Sequence, residues 1–174
     1  DDVSDSTLSP LTLKEHDRFR RGNLTHRLLQ LLPDLPPDRR HAAAQAFLAR
    51  QAKDLDTQTR DGILQETLAI LEHPEFAPLF GPGSLAEVPI TGRIGDQIVS
   101  GQIDRLLITP EKILIVDYKT NRPPPKDAKD IPAAYRRQLQ AYAAVLRDIY
   151  PDKSVCCALL WTDGPFLMPL PAAS

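Results

Sequence analysis

The sequence predicts an α/β fold: a mixed central sheet flanked by helices, with a helical insertion ahead of it. Three observations predict this. Helical apolar periodicity occupies most of residues 13–72 and returns over 132–150. Extended, β-branched runs fill 85–119 between them, with turn residues at their joins. Two more strand-like runs close the chain after the last helix.

Taken in order, residues 1–10 read as a polar, flexible lead-in. A helix follows from about Leu13 to Leu32, with Phe19, Gly22, His26 and Leu29 on one stripe. Gly22 inside it costs about 1 kcal/mol against alanine, so a close approach by another backbone or a ligand is expected there. Taken alone, His26 reads as a core histidine. Pro33 to Pro37 breaks the helix. Asp38 is the expected N-cap of a second helix to about Lys53, and a third spans Thr57 to Glu72 with Ile63, Leu64, Leu68 and Leu71 as its stripe. Residues 38–73 thus read as a helical insertion over the core, and its arginines as a solvated face. His41 and His73 read as surface residues.

A turn-rich loop from Pro74 to Ser84 leads into the sheet core, residues 85–170. Leu85 to Thr91 is the first strand; Glu87 on it reads, alone, as a surface glutamate. Gly95-Asp96 marks a hairpin turn into 97–109, and a short Thr109–Lys112 connection joins the next strand. The loop over 121–130 carries Arg122, Lys126 and Lys129, which either hold phosphates or are ordinary loop charges. The last helix spans Pro132 to Tyr150, with Tyr135, Gln138, Leu139, Tyr142 and Leu146 on one face. Strands over 154–161 and 166–170 complete the chain. Cys156 and Cys157 are expected on opposite faces of a buried strand, as small hydrophobes.

The totals narrow the function. The 174 residues suffice for one domain with a proper core, and 42% hydrophobic with 25% charged residues is a globular balance. No apolar run has membrane-spanning length, and no membrane partner is expected. A net charge of −2 means that any nucleic-acid contact must rest on a local patch. Two adjacent cysteines can build neither a disulfide scaffold nor, by themselves, a four-cysteine iron–sulfur cluster, and a cytoplasmic setting is expected. No G-x-x-x-x-G-K-[ST] is present, so no nucleotide site is expected. The chain begins at Asp1-Asp2 without a methionine, which reads as an excised fragment.

The chemistry concentrates between Gly101 and Thr120. Strand alternation puts Asp117 and Lys119 on one face and Tyr118 on the other. If the two runs pair as a hairpin, Asp104, thirteen residues before Asp117, lies beside it. Two hard carboxylates suit Mg²⁺ or Mn²⁺, and a metal with a nearby ammonium suits phosphodiester hydrolysis. A strand-end salt bridge between Asp117 and Lys119 would carry the same letters.

The spacing of Asp104, a short hairpin and Asp117-x-Lys119 resembles the PD-(D/E)XK nuclease core. G-Q-I-D-R-L at 101–106 and I-V-D-Y-K-T at 115–120 resemble its RecB-type branch. G-x-x-x-H at Gly22–His26, Glu87 on the first strand, and Q-x-x-x-Y at Gln138–Tyr142 follow the same order as in that branch. In wording, 19–170 resembles the C-terminal nuclease domain of AddA-type bacterial helicase–nucleases. The resemblance implies a restriction-endonuclease-like fold. It implies His26, Asp104, Asp117 and the Tyr118 carbonyl at a metal, and Glu87, Lys119, Gln138 and Tyr142 in or facing the active site. Arg122, Lys126, Lys129, Arg136 and Arg137 are the expected DNA contacts. Single-stranded DNA, an AddB-type subunit and a helicase portion of the same bacterial chain are the implied partners. A nuclease-derived binding module and a free-standing RecB-like exonuclease are the rival readings.

Overall fold

The computed structural model describes residues 10–171. All but Pro10 of the expected lead-in lies outside the described residues. Pro10 already opens α1 (Pro10–Leu31). Two helices follow, α2 (Pro37–Gln51) and α3 (Thr57–Glu72), then a 3-10 helix over Pro74–Phe80. The strands are β1 (Ser84–Ile94), β2 (Gln97–Ile108) and β3 (Lys112–Lys119). Helix α4 (Ala133–Ile149), β4 (Ser154–Trp161) and β5 (Phe166–Pro169) complete the chain. Among the described residues no helix is long and apolar enough to cross a membrane.

The helix caps show where local chemistry decided the boundaries. Asp56 caps α3, its carboxylate accepting the Thr59 amide at 2.6 Å. Asp38 was expected to do the same for α2, but Pro36 holds that place and makes no side-chain cap. Pro37 has its φ pre-set for a first helical position, so the helix starts two residues earlier than an Asp38 cap would set it, and Asp38 falls in its first turn. His73 is half-buried rather than a plain surface residue. Its Nδ1 accepts the Glu75 amide at 3.2 Å, and its ring stacks on Phe76.

The five strands lie in the order β1-β2-β3-β4-β5. All neighbours are antiparallel except β3 and β4, which α4 connects in parallel. The sheet is therefore mixed and carries apolar side chains on both faces. Helices α1 to α3 pack on one face, where Leu28, Leu29, Ile63 and Phe76 meet Val116, Tyr118 and Leu160. Helix α4 covers the other, where Leu139, Tyr142 and Leu146 meet Ile103, Ile115, Leu159 and Trp161. Residues 38–73, read as an insertion, share the first core with α1 and the sheet.

Two expected burials differ. Phe19 is 72% exposed, while Leu24, Thr25, Leu28, Leu29 and Leu32 are the buried side of α1. The cause is that α1 runs past the end of β3: a Cβ built on Gly22 would stand 2.9 Å from Thr120 Oγ1. The close approach expected at Gly22 is thus a threonine side chain. Cys156 is exposed and Cys157 only half-buried, because burial on β4 is deepest from Ala158 to Trp161. Burial pushes the Cys157 thiol up to about 11. It sits 3.6 Å from the Leu139 carbonyl, to which it donates.

Gly101 on β2 lies under the Tyr142 ring, and a Cβ there would overlap the hydroxyl and stand 2.7 Å from Cζ. Gly101→Ala is expected to destabilise by roughly 1–3 kcal/mol through overpacking. Adding Tyr142→Leu should recover part of that loss. Urea denaturation of the single and double variants checks both statements.

Candidate active site

The site forms where two β-ladders give way. Between β1 and β2, Ala86 pairs with Arg105 and Val88 with Ile103, but Glu87 and Asp104 between them do not pair. Glu87 has φ 50°, a left-handed backbone that a residue with a side chain adopts only when its surroundings hold it there. Between β2 and β3 the register runs from Ile108↔Ile113 to Arg105↔Val116 and ends. One further step would oppose Asp104 and Asp117. Instead the Asp104 carboxylate enters the opening, and its Oδ2 accepts the Tyr118 amide at 2.8 Å. Alternation on β2 slips here, since Ile103 and Leu106 both join the core under α4. Asp104 thereby reaches α1, where His26 Nδ1 is 3.6 Å from its Oδ1.

On β3, alternation holds to the end. Asp117 and Lys119 share a face, with Lys119 Nζ 2.6 Å from Asp117 Oδ2. The same ammonium stands 3.9 Å from the Tyr135 ring centroid on α4. Tyr118 turns the other way, into the first core, where its ring meets His26 edge-on at 5.4 Å. Sequence reading passed over Arg105, which anchors this corner. It is only 4% exposed. It donates to the Leu29 carbonyl at 3.1 Å and to the Tyr118 hydroxyl at 3.4 Å, and its guanidinium lies over Phe80. Its signal was a lone cation inside the apolar run Ile103–Ile108.

Charges crowd the corner. Burial, then the neighbouring Asp104 charge, pushes the Asp117 carboxyl up to about 6, against the pull of Lys119. Burial also opposes a charged Asp104, but His26 and the Tyr118 amide hold that carboxyl below its usual range. Burial lowers the His26 imidazole less than Asp104, Asp117 and Glu87 together raise it. The Glu87 carboxyl is raised, first by burial and then by Asp104. His26, Glu87, Asp104, Asp117 and Lys119 are therefore one electrostatic neighbourhood.

Among the described residues, no three His, Cys, Asp or Glu side chains already stand as a metal-ready cluster. One Asp117 oxygen is on Lys119 and one Asp104 oxygen on the Tyr118 amide, while the other faces His26. The donor chemistry nevertheless fits a hard divalent ion: two adjacent carboxylates, one of them raised by burial and then by the charge of the other.

The remaining predicted residues are placed less favourably. Tyr142 is buried against β2, and Gln138 Nε2 donates to its hydroxyl at 3.1 Å. No hydrogen bond or ion pair among the described residues links either to Asp104, Asp117 or Lys119. Of the expected phosphate contacts, Arg122 is paired with Glu66 and with Asp163, the latter at 3.3 Å. Lys129 is 3.7 Å from Asp127, and Arg136 donates to the Ala128 carbonyl at 2.6 Å. Lys126 and Arg137 have no acidic partner among the described residues.

The sequence profile of the PD-(D/E)XK nuclease superfamily matches residues 7–163. The chain belongs to the PD-(D/E)XK nuclease superfamily. Membership in this nuclease superfamily implies phosphodiester hydrolysis, and its members generally use divalent metals such as Mg²⁺. Similar solved structures share 14% identity each. One, described as a putative exonuclease from Eubacterium rectale, has a TM-score of 0.49 over 83% of this chain and 59% of its own. Protein VC1899 from Vibrio cholerae gives 0.32 over 89% and 48%, and SSO0001 gives 0.35 over 91% and 80%. The chain thus spans less than two thirds of the first two structures. No curated protein matches it significantly.

The raised Asp117 carboxyl has a measurable consequence. Its folded value, about 6, lies above the ordinary 3.8, so the native state binds that proton more tightly than the unfolded chain. The stability this contributes is complete below about pH 3.8 and is lost as pH rises through about 6. Asp117→Asn is neutral at every pH. Its stability relative to the parent should therefore climb between pH 4.5 and 7.5, by on the order of 2 kcal/mol. Urea denaturation in EDTA at the two pH values measures this; a constant difference contradicts it.

Proposed function

We propose that this chain is a Mg²⁺- or Mn²⁺-dependent deoxyribonuclease module that hydrolyses phosphodiester bonds of single-stranded DNA. The observation that supports it most is the meeting of Asp104 and Asp117 where the β2–β3 ladder ends, with Lys119 against the second carboxylate. Asp104, Asp117, the Tyr118 carbonyl and His26 would hold the ion, which supplies Lewis acidity at the scissile phosphate and an activated water. Lys119 is oriented by Asp117 on one side and the Tyr135 ring on the other. From there its ammonium can donate to a phosphate oxygen as negative charge builds on it. Glu87 adds negative charge to the same corner and raises the imidazole of His26. Gln138 and Tyr142 brace β2 through Gly101 and act on the site through that strand.

The wording of residues 22–29, 101–106 and 115–120 supports a finer placing. In it the module is the nuclease end of a bacterial AddA-type helicase–nuclease, working with an AddB-type subunit in break repair and recombination. The motor would feed a single strand to the corner just described.

Asp117→Ala and Lys119→Ala should each reduce cleavage of labelled single-stranded DNA by roughly 100-fold or more, with circular dichroism unchanged. Cleavage by the parent should depend on Mg²⁺ or Mn²⁺ and stop in EDTA. Metal-dependent cleavage at parental rate by folded Asp117→Ala would remove this assignment.

The chain should also cut weakly by itself, because the net charge is −2 and few cations near the corner lack partners. Raising salt should suppress cleavage, and joining the module to a helicase should restore it by raising the local strand concentration. A titration of labelled single strands at two salt concentrations, module against joined protein, tests this; salt-insensitive tight binding goes against it.

A further inference from the structure

Beside the corner, the middle of α1 and the segment after β3 line a cavity of about 390 Å³. Arg18, Phe19 and Arg21 line it from the helix, and Thr120, Asn121, Arg122 and Pro123 from the loop. The volume is that of a small-ligand site. Its lining is unlike the rest of the surface in two respects. Phe19 shows 72% of its area to solvent, the second most exposed large apolar side chain among the described residues. Three arginines line the same cavity.

Two of those guanidiniums are partly spent. Arg21 is 2.9 Å from Glu66 Oε1, Arg122 contacts the same oxygen, and Arg122 reaches Asp163. Glu66 Oε2 is buried without a partner, so this carboxylate does not serve both arginines fully. Arg18 is exposed and has no acidic partner among the described residues. Three positive groups against Glu66 and Asp163 leave an excess of one positive charge. Burial lowers the Arg122 guanidinium and the Arg21 charge lowers it further, the mark of like charges held together.

The cavity is also in line with the corner. Along α1, His26 stands at Asp104 and Gly22 against Thr120 Oγ1. Phe19 is seven residues before His26, about 10 Å along the helix axis. Thr120, in the cavity wall, follows Lys119 directly.

We propose that this cavity is a binding subsite for single-stranded DNA, with Phe19 stacking on an unpaired base and Arg18, the lining guanidinium without an acidic partner among the described residues, holding a flanking phosphate. An exposed aromatic ring among guanidiniums suits a base and its flanking phosphates. A duplex hides its base faces and offers that ring nothing. The subsite rests on the nuclease reading only for the direction in which the strand continues toward Lys119.

The test is binding of dye-labelled oligo(dT) in EDTA, by fluorescence anisotropy. Phe19→Ala should weaken it about tenfold, and Phe19→Trp should keep it. Trp161 is buried, so emission from the new indole should be quenched on binding. Arg18→Ala should also weaken binding and lower the salt slope by about one. A blunt duplex should bind less tightly and be indifferent to Phe19. Unchanged oligo(dT) affinity in Phe19→Ala, equal effects on duplex and single strand, or no low-salt binding by the folded parent would each overturn the subsite. Cleavage in Mn²⁺ separates the two readings. Phe19-dependent binding without cleavage keeps the subsite and removes the nuclease reading. Cleavage with a KM indifferent to Phe19 does the reverse.

Discussion

Where β2 and β3 part, the Asp104 carboxylate accepts the Tyr118 amide, which a continuing register would have set across from Ile103. A buried amide without a partner is costly, so the strands can separate only if something takes over its bond. A side chain that does this must be an acceptor and must stay ionised to hold the amide well. Asp104 does stay ionised, through His26 and through that same amide. The opposite ladder breaks at the same level, at Glu87 with its left-handed backbone. The corner therefore exists because the sheet yields on both sides of one residue.

Position across the corner is set by Arg105. A buried guanidinium must find acceptors, and it finds the Leu29 carbonyl on α1 and the Tyr118 hydroxyl on β3. Those contacts fix α1 against the strand that carries Asp117 and Lys119, and His26 rides on the same helix. Lys119 is fixed from the other layer, by Tyr135 of α4. Side chains of both helical layers thus converge on one edge of the sheet, which is why the α4 crossover matters to the chemistry.

Electrostatically the corner is poised toward a cation. The two aspartates cannot both be comfortable as carboxylates, and Asp117 carries the strain. A lysine and an imidazole offset part of it. Superfamily membership implies phosphodiester chemistry, and two carboxylates beside an ammonium suit it.

Much was legible in the chain because it is local. Periodicity showed α3 to the residue and the other helices within a few, and turn residues showed the strands. D-x-K on a strand settled that Asp117 and Lys119 share a face, since alternation is a property of a single strand. The hairpin spacing put Asp104 across from Asp117. What the sequence could not decide was which faces meet. Phe19 belongs to the apolar stripe of α1 in sequence but stands in solvent, because the sheet ends before the helix does. Tyr142 matches a motif but spends its ring on Gly101 under β2. The expected phosphate contact Arg122 is taken up by Glu66 and Asp163, which lie far from it in sequence. The slip of alternation at Asp104, and the anchoring by Arg105, depend on contacts between segments that periodicity treats separately. The sequence by itself determined the elements, the facing of Asp117 and Lys119, and the family wording. Only the tertiary structure decided where the ladders open and which cations remain without partners, because both depend on the packing of distant segments.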